Sequence, residues 1–140
     1  IRGNAARWGV DPARVGMLGF SAGAMTTMTT AMVQTPDARP DFIAPIYGMM
    51  GAVTPPARPQ PLFAAIAVDD PLIGSDDLGL ISSWRKAGGS VELHLYSGGG
   101  HGFGSHSKGT TSDLWFDQFI AWMKAQKLLI PVREKPAAAP

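Results

Sequence analysis

The sequence predicts an α/β fold in which a mostly parallel sheet is flanked by helices. Short apolar runs alternate along the chain with segments of helical periodicity, and turns rich in Gly and Pro separate them. The composition is globular, with 45% hydrophobic and 16% charged residues. We expect one domain over residues 1–130, and a flexible tail over 131–140 because its last residues, REKPAAAP, offer little apolar surface to bury.

The first strand and the first long helix lie on either side of the pentapeptide GFSAG, residues 19–23. Residues 14–20, RVGMLGF, form a mostly apolar run after the turn at Asp11 and Pro12, which predicts a strand buried on both faces. The segment 22–33 predicts a helix, because methionine and alanine recur in it at helical spacing. The expected apolar positions are Ala24, Met25, Met28, Ala31 and Met32.

Two further strands are predicted by the runs DFIAPIYG, residues 41–48, and PLFAAIAV, residues 61–68. Neither run alternates between apolar and polar side chains, so we expect both faces of each strand to be covered. The Pro-rich residues between the two runs lack the N–H donors that a strand ladder needs, which predicts an irregular connector. The connector 49–60 is also too short to hold a substantial inserted cap domain.

The segment SDDLGLISSWRKAGG, residues 75–89, predicts a helix whose charges complement the helix dipole. Ser75 is the candidate N-cap, Asp76 and Asp77 lie in the first turn, and Arg85 and Lys86 lie in the last turn. Gly88 is expected to end the helix. The apolar face is formed by Leu78, Ile81 and Trp84. This helix is expected to connect two parallel strands of the sheet.

A strand and a long helix complete the predicted fold. VELHLY, residues 91–96, alternates more clearly than the earlier runs, so we expect it nearer the edge of the sheet. Residues 111–127 predict a helix that stops before Pro131. Its apolar stripe contains Trp115, Phe119, Trp122 and Met123.

Charge and length exclude several classes of function. The net charge is +1 and the twelve Lys and Arg residues are scattered, so no basic stripe is available for nucleic acid. No apolar run approaches the roughly 20 residues of a membrane helix, and the chain does not open on a signal-peptide pattern. The chain has no cysteine, which excludes disulfides and thiolate sites but leaves the cellular compartment open.

The sequence also offers no cofactor motif. The three histidines do not have the spacing of metal ligands, because they share no helix face and no glutamate motif accompanies them. The glycines at 98–100 are not followed by the Lys-Ser/Thr pair of a phosphate-binding P-loop. We therefore expect neither a metal nor a cofactor.

The GFSAG motif makes Ser21 a candidate nucleophile. In a nucleophile elbow the serine occupies a strained turn between strand and helix, and the residues two before and two after it come close, which suits Gly19 and Gly23. The N–H of Ala22, at the start of the helix, is placed to donate to an oxyanion. The motif is weak by itself in a chain with 17 glycines, so it needs a base and an acid beside it.

His101 is the candidate general base. His94 lies within a predicted strand, where a half-buried structural role is expected, and His106 lies in a polar loop. His101 lies in SGGGHGFG, just after a strand end, where glycines allow the backbone to approach a site closely. A general base is required because a serine hydroxyl is a weak nucleophile until its proton is removed.

Asp69 and Asp70 are the candidate acids that would orient the histidine. Both follow the strand predicted at 61–68, and we expect Asp70, which precedes Pro71, to be the partner of His101. The alternative for either aspartate is to cap its own turn. The order Ser21, Asp70, His101 is the chain order of the triad in α/β hydrolases.

These motifs together resemble the C-terminal half of α/β-hydrolase serine esterases, and they are most similar to the bacterial esterase and acetyl-xylan-esterase-like branch. The similar segments are NAARWGVDPARVGMLGFSAGA, AVDDPLIG, WRKAGGSVELHLYSGGGHGFG and the closing Trp-rich helix, which together span most of residues 4–123. The resemblance implies an esterase that cleaves small-molecule, short-chain acyl esters through an acyl-enzyme. It assigns Ser21 as nucleophile, Asp70 as acid and His101 as base.

The resemblance also implies that part of the sheet lies elsewhere. Family members carry earlier strands and a His-Gly-Gly-type loop that provides a second oxyanion donor, and the loss of one such donor costs about 100- to 1,000-fold in rate. Without those strands, Val15 to Phe20 would present an apolar sheet edge, so we expect an N-terminal segment, a second chain or a second copy to cover it. Two alternatives stay open: a dienelactone-hydrolase-like or peptidase activity on the same fold, and a noncatalytic piece that needs its missing half.

Overall fold

The computed structural model describes residues 1–33, 35–73 and 77–129, which form one parallel, four-stranded sheet. The strands follow one another across the sheet in chain order: β1 (Met17–Phe20), β2 (Ile43–Ile46), β3 (Leu62–Ala67) and β4 (Val91–Tyr96). Each strand lies within a run from which it was predicted, and the predicted α/β class is confirmed. The predicted tail at 131–140 lies outside the described residues.

Four α-helices accompany the sheet in the described part of the chain: α1 (Ala5–Trp8), α2 (Ala22–Ala31), α3 (Gly79–Lys86) and α4 (Trp115–Ala125). The helix predicted at 111–127 begins as a 3₁₀ turn, Thr111–Leu114, before α4. The predicted stripe of α4 is buried as a whole, and its Phe119 and Trp122 rings pack on Phe63 of β3.

The two central strands are covered on both faces. Every residue of β2 and β3 is buried, and successive side chains of a strand point to opposite faces. β4 is only partly buried and forms one edge of the sheet, as its alternating sequence predicts. β1 pairs with β2 alone and forms the other edge of the sheet in the described residues.

Small residues make the closest contact between helix α2 and the sheet, and Met28 and Met32 pack partly against the core. A Cβ atom added to Gly48 would lie 2.7 Å from the Ala24 Cβ, so the helix lies too close to the sheet for a long side chain at this contact. Met25 is 58% exposed, so not every apolar position that predicted this helix lies on its buried face. The buried residues of the helix are Ala24, Thr27 and Ala31.

Helix α3 begins later than the sequence predicts. Leu78, which was expected within the helix, adopts a left-handed backbone with φ of 58°, and the helix begins at Gly79. Asp77 therefore precedes the helix instead of lying in its first turn, and its Oδ1 accepts the Gly79 N–H at 2.9 Å. The candidate N-cap Ser75 and the acid Asp76 lie outside the described residues.

The buried face of α3 is formed by Leu80 and Trp84. Trp84 is fully buried, and its Nε1 donates to the Gln60 carbonyl at 2.8 Å. The predicted face is confirmed for Trp84, whereas Leu78 and Ile81 pack only partly against the core. The predicted stop at Gly88 is confirmed, because the helix ends at Lys86 and Gly88 has a positive φ of 84°.

The carboxyl ends of all four strands lie at one edge of the sheet, because the strands are parallel. Ser21 follows β1 directly and Tyr47 follows β2 directly, while Asp70 and His101 come a few residues after β3 and β4. This edge therefore collects the candidate site residues. The described residues contain no α-helix with the length and hydropathy of a membrane span.

Candidate active site

Ser21 occupies a strained turn between β1 and α2. Its backbone has φ of 53° and ψ of −116°, a region that residues other than glycine rarely adopt. Hydrogen bonds on both sides hold this conformation: the Ser21 N–H donates to the Ile46 carbonyl at 3.1 Å, and the Ser21 carbonyl accepts from Ala24 at 2.9 Å. The turn has the backbone strain that a nucleophile elbow requires.

Gly19 lies against the backbone of the following helix. A Cβ atom added at Gly19 would lie 2.0 Å from the Gly23 carbonyl oxygen and 2.5 Å from the Thr27 Oγ1. A Cβ atom added at Gly23 would meet no described atom within 4 Å apart from its chain neighbours and the backbone of its own helix. The close approach of strand and helix that the motif predicts is therefore present at Gly19, where the backbone of Gly23 is the contact. The Cβ side of Gly23 itself has free space.

We expect Gly19→Ala to lower the free energy of unfolding by about 2–3 kcal/mol, because the added methyl group would overlap backbone atoms that cannot rotate away. Urea denaturation of the purified protein measures this change. Gly23→Ala is the matched control and should be neutral or stabilising by up to about 1 kcal/mol, since alanine favours the helix. Equal stability of the two variants would contradict the close approach at Gly19.

Three side chains from three strand ends form a continuous hydrogen-bonded row. The Nε2 atom of His101 lies 2.7 Å from the Ser21 Oγ, and its Nδ1 atom lies 2.7 Å from the Asp70 Oδ2. A carboxylate accepts but does not donate, so the Nδ1 atom carries the proton and the Nε2 atom is free to accept from the serine hydroxyl. The structure thus brings together the three residues that the sequence proposed as nucleophile, base and acid.

Asp70 contacts both His101 and its own turn. Its side chain is fully buried, and its second oxygen, Oδ1, accepts the Leu72 N–H at 2.8 Å. The sequence left two roles open for this aspartate, a partner of the histidine or a cap of its turn, and the geometry combines them. The cap holds the carboxylate in one orientation, with the other oxygen directed at the imidazole.

Asp69 holds the loop that carries His101. Its exposed carboxylate accepts the Gly100 N–H at 2.7 Å and the Gly99 N–H at 3.2 Å. The hydrogen bond from Gly100, followed by that from Gly99, lowers the pKa of Asp69. The two adjacent aspartates thus contact the same loop, Asp70 at the imidazole and Asp69 at the backbone before it.

We expect Asp69→Ala to lower kcat/KM for an ester by about tenfold, because displacement of a catalytic group by less than 1 Å is costly. Amide hydrogen exchange at Gly99 and Gly100 should become faster. Asp11→Ala is the matched control, since Asp11 is also an exposed aspartate whose pKa is lowered by a backbone hydrogen bond, that from Ala13. Unchanged exchange at both glycines would contradict the role of Asp69.

The hydrogen bonds from Gly99 and Gly100 to Asp69 predict that the order of the His101 loop depends on pH. Because the folded-state pKa of Asp69 is lowered, its contribution to loop order is complete above the unfolded pKa of about 3.9 and is lost as the pH falls through the folded value. Protection of the Gly99 and Gly100 amides should therefore decrease in acid below about pH 4. Asp69→Ala should lack this acid transition, and its persistence in the variant would show that another group causes it.

Tyr47 is a site residue that the sequence analysis did not single out. Its backbone has a positive φ of 39°, and its ring meets the His101 ring edge-on at 5.0 Å between centroids. Burial raises the pKa of the Tyr47 phenol, and a smaller effect of a hydrogen bond from Gly104 opposes this. Its position near the carboxyl end of the run 41–48, which was predicted as a parallel strand, is the signal that could have identified it.

A cavity of about 190 Å³ opens beside the Ser21 and His101 side chains. Most of its other lining is apolar and comes from Met25, Met49, Leu72 and Ile73, together with Tyr47. Ala22, the first residue of α2, also lines this cavity, and no acceptor for its N–H is found among the described residues. The arrangement suits a small apolar group whose reacting carbonyl lies between the hydroxyl and the N–H.

The other two histidines lie apart from Ser21. His94 is in β4, where its ring packs on Phe63 and its Nε2 is 2.9 Å from a Glu92 carboxylate oxygen. His106 is exposed. In the described ranges, no group of three or more His, Cys, Asp or Glu side chains is arranged to hold a metal ion.

Residues 2–127 match the family model described as "Dienelactone hydrolase family". Among curated protein sequences, none matches this chain significantly. Solved structures share the fold at low sequence identity. The acetyl ester-xyloside bifunctional hydrolase from Caldicellulosiruptor lactoaceticus superposes with a TM-score of 0.79 at 20% identity, and the alignment covers 92% of this chain and 62% of that one.

Two other bacterial enzymes show the same fold. Thermogutta terrifontis esterase 2 aligns with a TM-score of 0.76 at 19% identity over 93% of this chain and 62% of its own, and it has also been solved phosphorylated by paraoxon. The carboxylesterase Cest-2923 from Lactobacillus plantarum aligns with a TM-score of 0.73 at 16% identity, and the alignment covers 91% of this chain and 64% of that one. The chain therefore spans about three-fifths of the length of these structures.

Proposed function

The chain belongs to the dienelactone hydrolase family, and from this premise we propose that it carries the triad of a serine hydrolase that cleaves carboxylic esters of short acyl groups. The observation that carries the proposal is the row of hydrogen bonds from Ser21 through His101 to Asp70, each 2.7 Å long. The strained backbone of Ser21 supports it, because such strain is characteristic of functional serines at strand-to-helix turns.

In the proposed reaction, the Ser21 Oγ attacks the ester carbonyl carbon while His101 Nε2 takes the hydroxyl proton. The tetrahedral intermediate then collapses, the bond to the alcohol oxygen breaks, and His101 gives its proton to the leaving alcohol. Water next attacks the acyl-enzyme with His101 as base, which releases the carboxylic acid and restores the serine. Throughout, Asp70 keeps the proton on Nδ1 and stabilises the imidazolium.

The Ala22 N–H is the proposed oxyanion donor within this chain. It belongs to the first residue of α2, so the positive end of the helix dipole adds to its effect. A full oxyanion hole needs a second donor, which we assign to a segment outside the 140 residues. Coverage of only about three-fifths of similar structures supports such a segment.

The same segment is proposed to cover the free edge of the sheet. β1 pairs on one side only in the described residues, and Phe20 at its end is 40% exposed. An apolar unpaired edge promotes association between chains, so it requires a cover. We propose a further segment of the same polypeptide as this cover, and the intact mass and subunit composition of the purified protein distinguish it from a second chain or a second copy.

The size of the cavity supports a short acyl group at Ser21. Its volume of about 190 Å³ corresponds to about six water molecules. Its lining is mainly apolar, which favours a hydrocarbon group over a charged or strongly polar one. Acetyl and butyryl esters are therefore the proposed first substrates.

A fluorophosphonate probe and a substrate panel test the proposal on the protein as its gene encodes it. We expect the probe to label Ser21, and we expect p-nitrophenyl acetate and butyrate to be hydrolysed while a peptide anilide is not. The paraoxon adduct of the Thermogutta esterase supports the choice of an organophosphorus probe. Absence of labelling would favour a noncatalytic chain, and hydrolysis of the anilide alone would favour a peptidase.

Lactones are a second candidate class of substrate, which the family match favours. A lactone is a cyclic ester, so the same attack by Ser21 would open its ring and keep the alcohol on the acyl group. Adding a lactone to the panel separates the two classes. A preference for the lactone over p-nitrophenyl acetate would assign the chain to the second class.

A further inference from the structure

A second apolar cavity adjoins the cavity at Ser21. It has a volume of about 330 Å³ and lies between α2, the connector after β2 and the start of α3. Met25 and Met49 line both cavities, so the two spaces meet at these side chains. No charged residue lines the second cavity, and Met28, Val53 and Leu80 provide much of its apolar surface.

We propose that this second cavity binds the distal part of a medium-chain acyl group whose carbonyl carbon is attacked by Ser21. The inference rests on the proposed ester hydrolase function and extends its substrate class from short to medium acyl chains. The first cavity would hold the carbons next to the carbonyl group, and the remaining methylene groups would pass between Met25 and Met49 into the second.

The position of the cavity assigns it to the acyl group rather than to the alcohol. His101 must protonate the departing alcohol oxygen, so the alcohol lies on the side of the His101 loop. None of the residues that line the second cavity belongs to that loop, and four of them belong to α2: Ala24, Met25, Met28 and Thr29. The acyl chain is the part of the ester that points away from His101 toward the helix.

The junction between the cavities suits the passage of a hydrocarbon chain. Met25 and Met49 are large apolar side chains that are 58% and 55% exposed, so they are not held in the core. Methionine is unbranched and flexible, and it adapts to chains of different length. Met28 and Thr29 lie about 10–12 Å along α2 from Ser21, so the far part of the second cavity lies beyond the reach of a butyryl group.

The volume of the second cavity is sufficient for the rest of such a chain. About 330 Å³ corresponds to about eleven water-sized groups. Each methylene group that leaves water for an apolar site strengthens binding about fourfold. Octanoyl esters should therefore have a higher kcat/KM than butyryl esters with the same leaving group.

Thr29→Trp tests the inference by filling the second cavity from its rim. The ratio of kcat/KM for p-nitrophenyl octanoate to that for the butyrate should fall at least about tenfold, since at least two buried methylene groups would be displaced. Thr26→Trp is the matched control: both threonines are exposed on α2, and each hydroxyl donates to the carbonyl four residues earlier. Its ratio should equal that of the parent protein.

Two results would overturn the inference while leaving the ester hydrolase function intact. One is a ratio of octanoate to butyrate kcat/KM that does not change in Thr29→Trp, or that falls equally in Thr26→Trp. In either case p-nitrophenyl acetate would still be hydrolysed. The other is a response to the length of the alcohol: if Thr29→Trp discriminates against octyl acetate relative to butyl acetate and not against octanoyl esters, the cavity holds the alcohol.

A binding measurement decides the inference independently of turnover. With methionine labelled at its ¹³C-methyl group, sodium octanoate should shift the Met28 and Met49 signals, and sodium acetate should leave Met28 unshifted. Met28→Leu assigns its signal among the seven methionines. A Met28 signal that does not respond to octanoate overturns the inference, whereas failure of both probe labelling and acetate hydrolysis overturns the proposed function.

Discussion

Ser21→Ala is expected to lower kcat for p-nitrophenyl acetate by about a million-fold and to abolish labelling by a fluorophosphonate. The substitution removes the only atom that we propose to form the acyl-enzyme, and loss of a triad nucleophile has effects of this size. The Oγ has no other partner in the described residues than His101, and the backbone hydrogen bonds of the turn do not involve it. The fold should therefore survive, which circular dichroism and thermal unfolding can verify.

Ser97→Ala is a suitable control for this experiment. Ser97 is exposed just after β4 and is not among the residues that line the Ser21 cavity. This variant should retain the activity and the labelling of the parent protein. If Ser21→Ala were labelled as strongly as the parent, the nucleophile would be a different residue and the proposed function would fail.

Asp70→Asn is expected to lower kcat by about ten thousand-fold while retaining the shape of the side chain. The carboxylate of Asp70 accepts from Leu72 N–H with one oxygen and contacts His101 Nδ1 with the other. An asparagine that keeps the Leu72 contact presents its NH₂ group to Nδ1. His101 Nδ1 must then accept a hydrogen bond from this NH₂ group, so the imidazole proton moves to Nε2. A protonated Nε2 cannot take the proton of the Ser21 hydroxyl.

The comparison with Asp69→Asn separates a catalytic contact from a positioning one. Asp69 precedes Asp70 directly, but its carboxylate accepts from the backbone N–H groups of Gly99 and Gly100 in the His101 loop, and an asparagine oxygen can still accept one of them. We expect a loss of less than about tenfold for Asp69→Asn. Similar losses in the two variants would mean that Asp70 acts by supporting the loop and not by holding the imidazole.

Much of the fold follows from local patterns that the sequence displays. The buried strands were predictable because their runs do not alternate, and all residues of β2 and β3 are indeed covered. The stripe of α4 was predictable because helical periodicity selects one face, and Trp115 to Met123 lie on it. The parallel order then brings the strand ends to one edge, which is where the sequence expected the site.

Several features of the site depend on contacts that no local pattern reports. Met25 belongs to an apolar helical stripe, yet it lies at the cavities because the close contact of Ala24 with Gly48 turns another face of α2 to the sheet. Leu78 adopts a left-handed conformation before α3, where the sequence predicted a helix. Tyr47 acquires its place beside His101 from the position of β2 next to β1.

The sequence by itself determined the fold class, the strand ends that carry polar side chains, and the three residue types proposed for catalysis. The sequence also predicted that Asp70 would contact the imidazole, whereas only the tertiary structure decided that Asp69 holds the loop and that a second cavity adjoins the first. The physical reason is that periodicity and motif spacing describe one segment at a time. Hydrogen bonds of 2.7 Å between residues 31 and 80 positions apart depend on how several segments pack together.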